Sequence, residues 1–235
     1  MKIRLASDLQ TDSIVDGEGI RTVIWTQGCS HNCKGCHNPS THDFKGGFEV
    51  DVEEIIDDLS RLEGQSGITF SGGDPMFQTE ACTLIAKEAK KLGLDIWCYT
   101  GFRFEELVSM PKFKNFLKEI DVLVDGKFIE EEKSFNLDFR GSRNQRIIDV
   151  RESLKQGVVV LVPKYQGERI VDVSVYHRKH VYVWNYFCKK IVFLLQKMLP
   201  FYLFYDIIKY DREGAFTWYL ESHMHFLSST LESST

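Results

Sequence analysis

The chain has 235 residues, 43% hydrophobic and 27% charged, which is ordinary for a soluble globular protein of one domain or one domain plus an appendage. A formal net charge of −5, with no basic run beyond two or three residues, argues against a nucleic-acid-binding surface. The start, Met1-Lys2-Ile3-Arg4-Leu5-Ala6-Ser7-Asp8, lacks the apolar core of a signal peptide, so the six Cys are expected as reduced thiols or metal ligands in a cytoplasmic protein rather than as disulfides.

Residues 1–20 read as a polar, Gly-containing lead-in without clear periodicity. Arg21-Thr22-Val23-Ile24-Trp25-Thr26 is β-branched and aromatic, a strand by propensity and length. It delivers the chain into Cys29-Ser30-His31-Asn32-Cys33-Lys34-Gly35-Cys36, three thiols within eight residues. Three Cys cannot close a disulfide framework, because one is always left over. A loop that wraps around an inorganic centre can present all three, and thiolates are the usual ligands of a cubane iron–sulfur cluster. Three thiolates would leave one iron of a 4Fe–4S cluster open to a ligand.

Three other readings compete with the cluster. Cys33-Lys34-Gly35-Cys36-His37 spells the attachment motif of a c-type haem, which usually belongs to an exported chain. A Cys3His zinc site using His37 is chemically reasonable, although structural zinc usually draws its ligands from two separated knuckles. A dithiol redox pair would leave Cys29 unexplained. The isolated Cys82, Cys98 and Cys188 read as small buried apolar filler.

Residues 37–50 are expected as loop. From Asp51 to Leu62, Val52, Ile55, Ile56 and Leu59 recur at helical spacing, with Asp51 as N-cap. Ile68–Ser71 is a second strand, ending in Gly72-Gly73. Glu80 to Leu92 is a helix with Leu84, Ile85 and Ala89 on one face and Gly93 as its stop. Leu94–Thr100 is a third strand, closed by Gly101. A short helix follows over Phe104–Ser109, and Pro111 opens another that runs to Glu119. Ile120–Val124 is the fourth strand, ending before Gly126, and Val158–Val162 is one more, placed at an edge.

Between Tyr176 and Tyr205 ten of thirty residues are aromatic, and Ile191–Ile208 is apolar but interrupted by Gln196, Lys197, Pro200 and Asp206. Such an interruption is costly in a membrane span, so a membrane protein is not expected. The expected organisation is a functional domain over residues 1–167 and a C-terminal extension of unassigned role over 168–235.

Strand and helix alternating at this spacing predict βαβ units and a parallel sheet. Right-handed crossovers would curl it into a compact partial (β/α) barrel. Ligands bind such sheets at the carboxyl ends of the strands. Those ends are Gly28–Cys36, Ser71–Pro75, Thr100–Gly101 and Asp125–Lys127. The Arg-rich stretch Arg140–Arg146 reads on its residues as solvated surface charge.

The Cys-x-x-x-Cys-x-x-Cys loop, followed by Gly72-Gly73-Asp74-Pro75 after an apolar run, resembles the radical S-adenosylmethionine enzymes. Asp16-Gly17-Glu18-Gly19-Ile20-Arg21-Thr22 is similar to the activases of glycyl-radical enzymes. Five segments narrow this further: Trp25–Cys29, Cys36–Pro39, Ser71–Pro75, Val124–Phe128 and Arg140–Arg146 together resemble the anaerobic ribonucleoside-triphosphate reductase activating family. The likeness runs from about residue 10 to about residue 165.

That resemblance implies a 4Fe–4S cluster on Cys29, Cys33 and Cys36, its open iron chelated by the amino and carboxylate groups of S-adenosylmethionine. Gly72 and Gly73 would let backbone approach the methionyl portion. Asp74 would accept a hydrogen bond from the ligand ammonium. Gly35, Cys36 and His37 are expected on the adenine side, and Asp16, Arg21, Asp125 and Lys127 as further contacts to ligand or partner, with solvated surface as their alternative. No catalytic side chain beyond cluster and cofactor is expected. The implied partners are the glycyl-radical subunit of the reductase and a reduced flavodoxin- or ferredoxin-like electron donor. The rivals are an activase of another glycyl-radical enzyme, such as pyruvate formate-lyase, and a non-enzymatic zinc-binding module. A compact core without a ferredoxin-like insert of extra Cys favours the reductase activator over the first.

Overall fold

The computed structural model describes residues 1–166; the expected boundary at 167, the aromatic extension and Cys188 lie outside the described residues. The strands are β1 (Lys2–Leu5), β2 (Gln10–Ser13), β3 (Arg21–Thr26), β4 (Phe48–Asp51), β5 (Gly67–Gly72), β6 (Asp95–Tyr99), β7 (Val122–Asp125) and β8 (Arg146–Asp149). They form one mixed sheet in the order β4-β1-β3-β5-β6-β7-β8, with β2 paired to β3 off that path. The helices are α1 (Val52–Arg61), α2 (Thr79–Lys91), α3 (Phe104–Ser109), α4 (Lys114–Leu117) and α5 (Val150–Gln156).

The parallel core is β3/β5, β5/β6 and β6/β7, built by the predicted strands. Around it every pairing is antiparallel, and this corrects the wholly parallel expectation. The four unpredicted strands are four residues each and hold their conformation through a partner strand, in β1 and β4 one far away in sequence, with Lys2 opposite Asp51 and Leu5 opposite Phe48. Val158–Val162 forms no strand. It touches β8 through a single bridge, Leu161 to Ile148, with backbone bonds at Val160 and Val162.

Side chains alternate between the two faces of a strand, and here that separates two packing layers. Ile24, Ile68, Phe70, Ile96, Cys98, Leu123 and Ile148 face the helices and are buried with Ile55, Leu59, Ile85 and Phe116. On the opposite face Trp97, Val124 and Ile147 pack with Tyr165. Cys82 and Cys98 are fully buried, as expected of filler, and burial pushes both thiols up, away from reactivity.

Asp51 stands at the N-cap of α1 in extended backbone, but its side chain makes no capping bond. In α2 the buried stripe is Ala81, Cys82, Ile85, Ala86 and Ala89, while Leu84, expected on that face, is exposed. The small residues let α2 lie close on the sheet, and Leu84 falls off the stripe by angular position. The helix expected from Pro111 is a 3-10 turn, Pro111–Phe113, followed by α4.

Candidate functional site

The register of the central strands decides what reaches the rim. Trp25 on β3 lies opposite Ser71 on β5. Both, with Tyr99 on β6, face away from the helices and line an open cavity of about 420 Å³. Cys29, Cys33 and Cys36 line the same cavity, as do Gly72, Gly73 and His37. The three thiols and the double glycine, 36 and more residues apart in sequence, therefore share one space.

The cysteine loop is closed at its base. Gly28 and Cys29 donate their backbone N–H groups to the carbonyls of Thr41 and His42, at 2.8 and 3.1 Å. The Gln27 amide donates to the carbonyls of Ser40 and Asp43. Inside the loop, the Cys36 N–H bonds the Cys33 carbonyl at 3.2 Å and the Asn38 N–H points at the Cys36 Sγ at 3.4 Å. Burial raises the Cys29 pKa, with the Asp74 charge and the other two thiols adding to the rise. All three cysteines are partly buried.

Behind the loop lies Asp74, 1% exposed and not part of the cavity lining. Its carboxylate accepts from the Met76 N–H (2.9 Å), the Thr100 hydroxyl (2.9 and 3.1 Å), the Gly101 N–H (3.0 Å) and the His31 Nε2 (2.7 Å). Sequence reasoning passed over His31, although its place between Cys29 and Cys33 was a signal that something inside the loop had to be anchored. Tyr99 is read from sequence only as a strand residue, and Trp25 as a strand residue within the Trp25–Cys29 segment, neither as cavity wall. Burial pushes the Tyr99 phenol well up, and the nearby Asp16 charge adds to it.

The remaining expected residues divide. Asp16 lines the cavity and accepts from the Ser13 hydroxyl at 2.5 Å. Gly35 faces Glu130 rather than the cavity. Lys127 is exposed. Arg21 is fully buried, so the solvated-surface alternative is corrected. It bonds Thr69 and the carbonyls of Glu18, Ile68 and Asp95, and pairs with the Asp95 carboxylate at 2.6 Å. Asp125 is also fully buried, bound to the Arg146 guanidinium and accepting from the Phe104 N–H at 2.8 Å. Arg140 lines the cavity wall and sends its guanidinium to the carbonyls of Gln145 and Tyr165, so it is not solvated charge.

The family described as "4Fe-4S single cluster domain" matches residues 15–148. The anaerobic ribonucleoside-triphosphate reductase-activating protein of Haemophilus influenzae is 39% identical over 143 residues, 57% of this chain and 90% of that protein. The chain belongs to the anaerobic ribonucleoside-triphosphate reductase-activating family. The Escherichia coli K12 protein of the same name is 37% identical over 59% of this chain and 94% of its own length. That of phage T4 is 36% identical over 57% and 86%. Among solved structures, QueE from Escherichia coli aligns with a TM-score of 0.37 at 14% identity, over 43% of this chain and 53% of that one.

Membership of this family brings a 4Fe–4S cluster, and the donor set accommodates it. Among the described residues no three His, Cys, Asp or Glu side chains converge tightly enough for a single metal ion. A cubane asks for something different: thiolates spread over separate iron corners around open space. Three partly buried thiols on the wall of one cavity, that of Cys36 receiving a backbone N–H, meet that demand. The zinc reading with His37 fits less well, because that ring lies against Phe128 at 4.6 Å. Among the described residues no helix is long and apolar enough to cross a membrane.

Proposed function

We propose that this chain activates an anaerobic ribonucleoside-triphosphate reductase by generating a glycyl radical on it, with S-adenosylmethionine as the second cofactor. The observation that carries the reading is the meeting of the three thiols with Gly72 and Gly73 in one cavity, in a chain 39% identical to an activating protein of that name. A 4Fe–4S cluster held there would supply the one electron for reductive cleavage of S-adenosylmethionine to methionine, the hydrogen atom lost by the partner's glycine ending in 5′-deoxyadenosine.

The chain's own residues do the positioning. Cys29, Cys33 and Cys36 would hold the cluster through their thiolates, with the ligand's amino and carboxylate groups left to complete its coordination. Gly72 and Gly73 offer bare backbone to the methionyl portion, and His37 with the backbone of Cys36 stands on the adenine side. Trp25, Tyr99 and Phe139 supply apolar wall that displaces water from the reacting carbon. We assign this work to residues 1–167, arranged as a partial (β/α) barrel of the radical S-adenosylmethionine type, with a reduced flavodoxin- or ferredoxin-like protein as donor.

The test is anaerobic co-incubation of the loaded chain with the reductase, a strong reductant and S-adenosylmethionine. Electron paramagnetic resonance is expected to show a glycyl doublet on the reductase, with one 5′-deoxyadenosine formed per radical; Cys33→Ala is expected to give neither. A loaded chain that forms 5′-deoxyadenosine but no doublet on the reductase, and gives one on pyruvate formate-lyase, would move the assignment to the other activase class.

A further inference from the structure

His31 sits midway between two of the three thiols, two residues from Cys29 and two from Cys33, and lines the same cavity, yet its ring is almost wholly enclosed. Its side chain is 9% exposed. The slot that receives it is shaped for it. A Cβ at Gly101 would stand 2.4 Å from the imidazole, so only glycine leaves room, and Phe102 meets the ring edge-on at 4.6 Å. At the bottom of the slot the Nε2 reaches the Asp74 carboxylate at 2.7 Å.

A carboxylate has about four lone-pair sites. Asp74 already receives four donor groups: the Met76 and Gly101 N–H groups, the Thr100 hydroxyl and the His31 ring. Little acceptor capacity is left for a ligand ammonium, and the group is only 1% exposed. A carboxylate only accepts, so the Nε2 must carry the hydrogen. The same residue stands two positions along the chain from Cys29 and two from Cys33. One residue thus joins a buried carboxylate just past the end of β5 to the loop that carries the thiols.

We propose that Asp74 works through His31: the pair is a tether that fixes where the cysteine loop carries its thiols, and Asp74 is a positioning residue rather than a ligand contact. The proposal rests on the reading that the three thiols hold a cluster. It assigns the third residue of Gly72-Gly73-Asp74 a task inside the protein, while the two glycines face the ligand.

The test uses the full chain, loaded anaerobically, and two readouts that need no turnover: the rate of iron release to a chelator, and the change in the reduced cluster's paramagnetic resonance spectrum on adding S-adenosylmethionine. His31→Leu fills the slot without a donor, whereas His31→Gln keeps an N–H that can reach Asp74. His31→Leu and Asp74→Asn are each expected to release iron about tenfold faster or more and to lose the ligand-induced spectral change. The double variant should be no worse than either single one, and His31→Gln should stay close to wild type. Equal failure of the Leu and Gln variants would overturn the proposal, because packing alone would then explain the ring. An unaffected His31→Leu beside a disabled Asp74→Asn would also overturn it, returning Asp74 to direct ligand contact. Wild-type protein that takes up no iron, or gives no response to S-adenosylmethionine, would remove the proposed function and this role with it. A normal wild type beside an unaffected His31→Leu removes the role alone.

Discussion

At Gly73 two backbones approach each other too closely for a side chain. A Cβ there would stand 2.5 Å from the Gly28 carbonyl oxygen, and backbone cannot swing aside as a flexible side chain can. Gly73→Ala is therefore expected to cost about 2 kcal/mol by overpacking and to push the residues before Cys29 off their path. A lowered thermal midpoint together with less iron bound per chain checks it. A second case at this scale is Glu105, whose carboxylate takes two hydrogen bonds from Arg146, at 2.9 and 2.8 Å. Those bonds, ahead of all other causes, lower its pKa from 4.5 to about 2. A depressed carboxylate stabilises the fold above its unfolded pKa and loses that contribution as pH falls towards the folded value. The loss thus falls between about pH 4.5 and 2. Glu105 is more than half exposed, so solvent screening keeps the effect on the order of 1 kcal/mol or less. Acid titration of stability in Glu105→Gln should be shallower than wild type in that window and parallel above it. The thiols and the double glycine were legible in the sequence because residue type and short spacing state their chemistry. The His31–Asp74 bond spans 43 positions, and nothing local to either residue announces it.

Elements were legible where one face is buried over several residues. β3 and α3 have the bounds that propensity and periodicity gave, and β5, α1 and α2 differ by a residue or so at their ends. The short outer strands β1, β2, β4 and β8 were not, since four residues carry too little pattern and their order comes from a partner strand. Arg21 shows the same limit from the charged side. Near a predicted strand end Arg21 reads as a contact to ligand or partner or else as solvated surface, but it staples three strands. From β3 it bonds Thr69 and the Ile68 carbonyl on β5 and both the carbonyl and carboxylate of Asp95 on β6, with the guanidinium 5.5 Å from the Trp97 ring centre. Lysine is a point charge with fewer donors and cannot reproduce that fork. Arg21→Lys is expected to leave buried acceptors unpaired and to cost about 2 kcal/mol. Denaturant unfolding checks this: the midpoint should fall with an unchanged slope, and an unmoved midpoint would mean the fork contributes nothing.

Across the whole described chain, the first segment is held by the last. Glu18, in the loop that brings Asp16 to the cavity, accepts from the Tyr165 hydroxyl at 2.6 Å and pairs with Lys164, and these two bonds lead the causes that lower its pKa. Tyr165 in turn is 5% exposed and packs edge-on against Phe139 at 5.3 Å and Trp97 at 6.1 Å, below the cavity wall to which Phe139 belongs. Its carbonyl accepts from Arg140, another wall residue, at 2.9 Å. The ring supplies packing and the hydroxyl supplies placement, and the two can be separated. Tyr165→Phe keeps the ring and should cost only about 1 kcal/mol, the net value of one hydrogen bond. Tyr165→Ala also opens a void beside Trp97 and should cost about 3 kcal/mol or more. If the hydroxyl places the loop, Tyr165→Phe should weaken S-adenosylmethionine binding out of proportion to its small stability loss, because Asp16 and Val15 line the cavity from that loop. Equal, small changes in stability and binding would instead confine Tyr165 to holding the second packing layer together.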